Sequence, residues 1–276
     1  MPPPKTKSEA EILIANYFSK GKSRTNFTFV GHSGSGKTHL LRTVPLPLHI
    51  DSFDINGPRE IMDDLVRKGM VVVDDRFEVE IDKSPTAFKL WSDNFERRVR
   101  DGYFKQFKSY SIDSLTFMAD AIMNFNQLTY PGKNRASRAG TPPEQSDYFR
   151  QQSTLKNVVR LIGNLPCYTF LTAHIQAKDD PITGIMIATL MLAGKASEQE
   201  PTLMDEVYYI DVYEESTGIK RELITATTGK YKAKTRIGTG GKLNTREDAN
   251  IKAILEKCGK PYKDGPSLLR EATISS

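Results

Sequence analysis

Residues 27–41 read FTFVGHSGSGKTHLL, an apolar run that breaks into glycines and resumes as a helical pattern. Gly31-His32-Ser33-Gly34-Ser35-Gly36-Lys37-Thr38 satisfies the spacing GxxxxGK[ST] at every fixed position. Phe27, Phe29 and Val30 predict a buried strand before it, and residues 38–43 the first turns of a helix after it. Glycines let a tight loop turn successive N–H groups toward an anion, and the helix start adds its positive dipole end. The residues placed to touch such an anion are Gly31, Ser33, Gly34, Ser35, Gly36, Lys37, Thr38 and His39. Lys37 would neutralise β and γ phosphates, and the Thr38 hydroxyl would hold Mg²⁺, so ATP with Mg²⁺ is the expected ligand pair. The bland alternative is a Gly/Ser surface turn, which does not account for the strand–loop–helix context.

The 276 residues suffice for one large α/β domain, or a domain with a small appendage. Apolar content of 38% with 26% charged residues fits a soluble globular chain. No run approaches the roughly 18 apolar residues of a membrane span. The opening MPPPKTKSEAEILIANYF carries Lys5, Lys7, Glu9 and Glu11, which argues against a signal peptide. Cys167 and Cys258 are the only cysteines and lack metal-ligand spacing, so a reducing cytoplasm is expected. A net charge of +5 suits an anionic partner without specifying one.

Apolar spacing predicts a short amphipathic helix in the leader, packed on the domain's flank. A second strand is expected at 47–51, a helix at 58–68 stopped by Gly69, and strand or hairpin character over 70–81. Helices follow at 87–100, 115–125 and 146–161, and strands at 109–114 and 168–172. Late strands are expected at 207–213 and 222–226. A helix at 245–257 would open on a capping-box-like Thr245 and Asp248 and stop at Gly259. Residues 126–145 lack any period and read as a long loop. This alternation implies a mainly parallel sheet covered on both faces.

The loop needs a carboxylate on a neighbouring strand to hold the metal's water shell. Asp74 ends the more apolar run, but Asp113 ends a strand that enters a helix at once, at the edge where open parallel sheets gather ligands. Asp113 is therefore the expected metal residue with Thr38, and Asp74 a solvated strand-end acid. His174, at the polar end of TFLTAHIQ, is placed to sense the γ-phosphate; the alternative is a structural histidine. His32 is expected to face solvent, and His49 to be structural. Asp51 and Asp54 are both candidates for the base that orients water, with an Asp-stabilised turn as the alternative.

Taken in order, GHSGSGKTHL, LPLHIDSFD, YSIDSLTFM, FLTAHIQ, LAGKASEQEPTLMDEVYYIDV and TGKYKAKTRIG resemble the RecA-like branch of P-loop ATPases. More narrowly, the set is similar to the phage-encoded RecA-like ATPases that accompany single-strand-annealing recombination. The resemblance spans residues 26–240. It implies a RecA-like core at 23–240, between a leader at 1–22 and a small C-terminal helical tail at 241–276. It also implies rings or filaments with ATP between subunits, Asp113 serving Mg²⁺, and His174 as the sensor linked to a DNA-binding loop. Relatives carry Glu two residues after the strand-end Asp, where this chain has Phe53, so the base falls to Asp54 or Asp51.

From 218 to 246 the chain has eight basic residues, Lys220, Arg221, Lys230, Lys232, Lys234, Arg236, Lys242 and Arg246, against one acid, Glu222. On a strand, Lys230, Lys232, Lys234 and Arg236 would share a face, opposite Tyr231 and Ala233. That stripe reads as a phosphate track, as a solvated ribbon, or as a finger reaching a neighbour's γ-phosphate. The resemblance favours the finger for Lys234 and Arg236. Tyr130, Lys133, Arg135 and Arg138 suit single-stranded nucleic acid, and the resemblance implies a DNA loop there and a second at residues 177–184; a plain disordered surface loop is the alternative. The leading expectation is an ATPase acting with single-stranded DNA in strand annealing or exchange. Its expected partners are further copies of itself and a phage annealing or single-strand-binding protein, in host cytoplasm. A ring motor of helicase or packaging type and a nucleotide-kinase-like phosphotransferase are the alternatives. No Asn-Lys-x-Asp guanine-reading motif occurs.

Overall fold

The computed structural model describes residues 8–19, 25–81, 83–130, 139–179, 184, 186–216 and 218–269. In chain order the helices are α1 (Glu9–Ser19), α2 (Lys37–Leu40), α3 (Arg59–Arg67), α4 (Ala87–Arg100), α5 (Leu115–Thr129), α6 (Gln145–Ile162), α7 (Ala196–Leu203) and α8 (Ile251–Lys257). The strands are β1 (Asn26–Gly31), β2 (Leu48–Ser52), β3 (Val71–Asp74), β4 (Ser109–Asp113), β5 (Tyr168–Asp179), β6 (Met186–Leu190), β7 (Glu206–Glu215), β8 (Gly218–Ile224) and β9 (Arg246–Asp248).

These strands form one nine-stranded sheet in the order β3-β2-β4-β5-β1-β7-β8-β9, with β6 added to the far end of β5. From β3 to β7 every neighbouring pair is parallel, and β8 and β9 extend the edge antiparallel. The architecture is α/β, a mostly parallel sheet flanked by helices.

The period of two explains both covered faces. Phe27 and Phe29 turn toward Leu40, Met62, Ile251 and Leu255, from α2, α3 and α8. Val30, Ile112, Leu171 and Ala173 turn toward α4, α5 and α6, through Trp91, Phe95, Met118, Ile122 and Val158. Both faces are buried, so the strands also bury polar residues along their length, among them Thr28, His49, Ser109, Ser111 and Thr169.

Several boundaries differ from expectation. The leader forms α1, yet residues 8–15 are exposed, with Leu13 and Ile14 more than half so. It is not packed as expected. Strand character after Met70 ends at Asp74, and residues 75–81 form turns. Their alternating acids are used locally: Glu80 accepts the Ala87 N–H at the start of α4. The loop expected from 126 is helical to Thr129, while residues 131–138, and with them Lys133, Arg135 and Arg138, lie outside the described residues. Of 177–184, the first three residues extend β5 and residues 180–183 lie outside the description.

Thr245 and Asp248 do not open a helix. Residues 246–248 pair with β8, and Asn250 caps α8, its side chain accepting from the Ala253 N–H at 3.2 Å. Strand pairing satisfies more backbone here than a cap could. The segment expected as a helical tail thus supplies an edge strand and, through Ile251, Ile254 and Leu255, part of the core.

Candidate functional site

At the carboxyl end of β1 the chain turns through Gly34 and Gly36, at φ 75° and 96°. Gly36 is constrained twice, because a Cβ there would also lie 3.0 Å from the Arg221 side chain. A Cβ at Gly31 would collide with the Ser35 side chain. The helix that follows is shorter than expected: one α turn, then one 3-10 turn at Leu41–Thr43, halted by Val44 and Pro45. The cradle therefore relies on loop amides more than on a long helix dipole.

The loop borders a cavity of about 460 Å³ lined by Ser33, Gly34, Gly36, Lys37, Thr38, His39, Asp54, Ile61, His174 and Arg221. Gly31 and Ser35 lie beneath, and buried Ser35 Oγ has no partner among the described residues. Lys37 Nζ donates to the carbonyls of Gly31 (3.1 Å) and His32 (2.9 Å). Burial lowers the Lys37 pKa, against the pull of Asp113 and Asp54.

Strand order brings the acid and the sensor to the loop. One strand, β5, stands between β1 and β4, so the tips of all three are adjacent. Asp113, the last residue of β4, is buried. It accepts from Thr38 Oγ1 at 2.6 Å and from the Thr172 hydroxyl. Burial raises its pKa, the two hydroxyls oppose that, and the nearby Asp54 carboxylate adds to the rise. Hard oxygen donors beside a glycine loop fit a Mg²⁺-bound polyphosphate, so the residues present suit the ligand pair expected from sequence.

His174 sits on β5, opposite Gly31 in register. Its backbone N–H donates to Thr116 Oγ1 at 3.0 Å, and the Phe117 ring stands edge-on to the imidazole. Nδ1 lies 3.5 Å from the Lys37 ammonium, which can only donate. In the tautomer that accepts from Lys37 at Nδ1, Nε2 carries the proton. That buried Nε2 has no hydrogen-bond partner among the described residues, and Asp54 Oδ2 is 3.9 Å away.

The two candidate bases separate. The turn after β2 is hooked onto β4, since the Phe53 and Asp54 N–H groups donate to the Asp113 carbonyl at 2.7 and 3.2 Å. Glu78 pins the same turn, accepting from Ser52 Oγ (2.7 Å) and the Asn56 N–H (3.0 Å). Asp54 thereby faces the cavity. Phe53 instead enters the core and stacks on Phe77 at 5.5 Å, which places an aromatic where the relatives' Glu is expected.

Asp51 does not reach the cavity. It is fully buried, bound by His49 Nε2 (2.8 Å), Arg98 Nη1 (2.9 Å), Trp91 Nε1 (2.9 Å) and the Tyr110 hydroxyl (2.6 Å). Burial acts to raise its pKa, but His49 and Arg98 overcome this and hold it low. Asp74 corrects another expectation, being buried rather than solvated. Arg76 and Arg98 outweigh burial and bring its pKa to about 2. His49, Asp51 and Asp74 could be taken for a metal cluster, but Arg98 already supplies the positive charge.

Lys234 and Arg236 lie at the other end of the sheet. Lys234 bridges to Val207, near the start of β1, and its ammonium caps α7 through the carbonyls of Met204 (2.6 Å), Pro201 and Thr202. Arg236 pairs with Asp205 at 2.6 Å and keeps a half-exposed side chain. Neither lines the cavity of its own chain. The 230–236 segment is not a strand, though Tyr231 and Ala233 are buried and Lys230 and Lys232 exposed, as the alternation required.

Sequence reasoning counted Arg221 only as one basic residue among eight. Its Nε donates to the Ser35 carbonyl at 3.1 Å, across 186 positions of sequence. No local pattern announces that contact.

Residues 23–237 match AAA_24, an AAA domain. Among solved structures the chain is similar to a KaiC-like protein from the hyperthermophilic archaeon Pyrococcus horikoshii OT3. The identity is 13% and the TM-score 0.42, over 78% of this chain and 84% of that one. No curated protein matches. No helix among the described residues is long and apolar enough to cross a membrane. With the family match covering most of its length, the chain belongs to the AAA_24 family of AAA-type P-loop ATPases.

Proposed function

We propose that this chain is an ATP-dependent, single-stranded-DNA-acting ATPase of the recombination type. The observation that carries the reading is the placement of His174. His174 lines the phosphate-loop cavity with Nε2 3.9 Å from Asp54 Oδ2, while its strand continues without a break to Asp179. There β5 meets β6, and with Ala188 bridged to Tyr231, Lys232 lines one pocket with Lys178, which is paired with Glu198 at 2.5 Å. One strand thus joins the terminal-phosphate end of the cavity to a lysine-bearing arm suited to a phosphate backbone.

In this reading the loop amides and Lys37 bind the phosphate chain, and Thr38 with Asp113 holds Mg²⁺ through its water shell. The metal, when bound, offsets charge developing on the phosphate oxygens. Asp54 orients the attacking water and takes its proton on a carboxylate oxygen. His174 Nε2 donates toward the terminal phosphate and transmits its loss along β5. Arg236, half-exposed and paired only at the surface with Asp205, is the better placed of the two to reach a second copy of the chain, since Lys234 is committed to capping α7. ATP at a subunit interface would then favour the DNA-holding assembly.

The test is the ATPase rate with and without single-stranded DNA, in wild type and in Arg236→Ala, with oligomer size measured in each nucleotide state. The reading expects stimulation by single strands and a drop in Arg236→Ala of at least about 10³-fold if the residue acts as a finger. A rate indifferent to both DNA and the substitution sinks it.

A further inference from the structure

Arg221 stands on β8, on the opposite side of β1 from Asp54, Asp113 and His174. Asp54, Asp113 and His174 come from β2, β4 and β5, which lie together on one flank of the loop strand. On the other flank, β7 separates β1 from β8, and Arg221 reaches back across it to the loop. Its Nε is tied to the Ser35 carbonyl, its side chain lies over Gly36, and it lines the cavity. Neighbouring Lys220 is held by Glu222 at 2.9 Å, and Arg246 by Asp211 and Glu222. Among the described residues no carboxylate pairs with Arg221, so its two Nη groups remain available.

A planar guanidinium held by one nitrogen, with the other two presented to an anion-binding cavity, is a phosphate fork. Its flank decides which phosphate it meets. The reacting end must lie with Thr38, Asp113, Asp54 and His174, which leaves the nucleoside end of the chain to Arg221.

We infer that Arg221 is an in-cis binding residue that grips the nucleotide at its α-phosphate end, acting on binding and not on hydrolysis. This rests on the cavity being a nucleotide site. Arg221 also adds to the constraint that φ 96° places on Gly36, since a Cβ there would lie 3.0 and 3.1 Å from its Nε and Cδ. The β7–β8 hairpin is thereby coupled to occupancy of the site, independently of β5.

The measurement is direct titration of ADP and ATP, with Mg²⁺, into wild type, Arg221→Ala and Arg221→Lys, beside kcat and KM. A charge-assisted contact predicts that Arg221→Ala raises Kd for ADP and ATP by the same factor, roughly 10–100-fold. Turnover at saturating ATP should change by less than about threefold, because the contact is equal in ground and transition states. Arg221→Lys should fall between, since it keeps charge but loses the fork. An unchanged ADP affinity in Arg221→Ala overturns the inference while leaving the nucleotide site standing. So does a fall in kcat with Kd intact, which would move Arg221 to the reacting end. If wild type binds neither nucleotide, the nucleotide reading itself fails.

Discussion

Two acidic clusters sit at the carboxyl edge of the same sheet, and their electrostatics run in opposite directions. Asp51 and Asp74 are register partners on β2 and β3, both buried and both crossed by Arg98. Counting His49, Arg76, Trp91 and Tyr110, their oxygens are saturated with donors, and both pKa values are held low. Asp113 has two hydroxyl partners and the Asp54 carboxylate only His174 at 3.9 Å, both have Lys37 nearby but no arginine among the described residues, and burial pushes Asp113 upward. A carboxylate satisfied within the chain has nothing left for a ligand. One that keeps an open side toward a cavity can hold a metal or a proton. Saturation, more than burial, separates the structural acids from the chemical ones.

The sharpest way to break that comparison is to neutralise one acid of each kind. Asp54→Asn should lower kcat by roughly 10²–10⁴-fold, the range for losing a positioned base, with the unfolding midpoint unchanged. Asp51→Asn should do the reverse, destabilising the fold by removing the charge that His49 and Arg98 are arranged around. Rates and denaturation curves measured on both proteins decide it. If Asp51→Asn lost turnover while keeping wild-type stability, the distinction would be wrong.

How far sequence reached follows the same physics. Lys37, Thr38 and Asp113 were legible because strand, glycine loop and strand-to-helix junction are local patterns, each with one structural solution. His174 was legible as a polar end on an apolar strand. The split between Asp51 and Asp54 was not, because it depends on the turn at Phe53 and Asp54 being tied to the Asp113 carbonyl. Asp74 was misread for a related reason: its guanidinium partner arrives from α4, on Arg98, whose basic neighbours Arg97 and Arg100 suggest only a solvated helix end. Arg221 was hidden by the 186 positions between it and Ser35. Spacing reveals what neighbours in sequence do, and says little about long-range donors.

Removing the shared guanidinium tests the structural cluster at its centre. Arg98→Met leaves two buried carboxylates short of a countercharge, with an expected loss of about 3–5 kcal/mol in urea unfolding at neutral pH. Nucleotide affinity of the protein that remains folded should match wild type. An acid titration adds a signature. The folded pKa of Asp74, about 2, lies below the ordinary 3.8, so the unfolded chain binds more protons in that window. Wild type gains stability as pH rises from 2 to about 4 and keeps it above, whereas Arg98→Met should lose much of that acid limb. A substitution costing less than about 1 kcal/mol would show that Asp51 and Asp74 do not depend on Arg98.

Glu200 probes the comparison from a third position, as an acid neither saturated nor open to the phosphate-loop cavity. It lies on α7, is 1% exposed, and neither side-chain oxygen has a hydrogen-bond partner among the described residues. Burial raises its pKa to about 7, against weaker pulls from Lys156 and Arg160. The folded state therefore binds the extra proton between about 4.5 and 7, and stability falls as pH rises through that window. Replacing the carboxyl by an amide removes the titration. Glu200→Gln should gain on wild type by about 2–3 kcal/mol between pH 5 and pH 8, from the size of the shift. Any fixed cost of burying the amide is the same at both pH values, so it is the change in the difference that counts. Parallel stability profiles for the two proteins would mean that Glu200 finds a partner in solution and belongs with Asp51 and Asp74. Diverging profiles would make it a buried acid held neutral by its surroundings, the state Asp51 avoids only through Arg98 and His49.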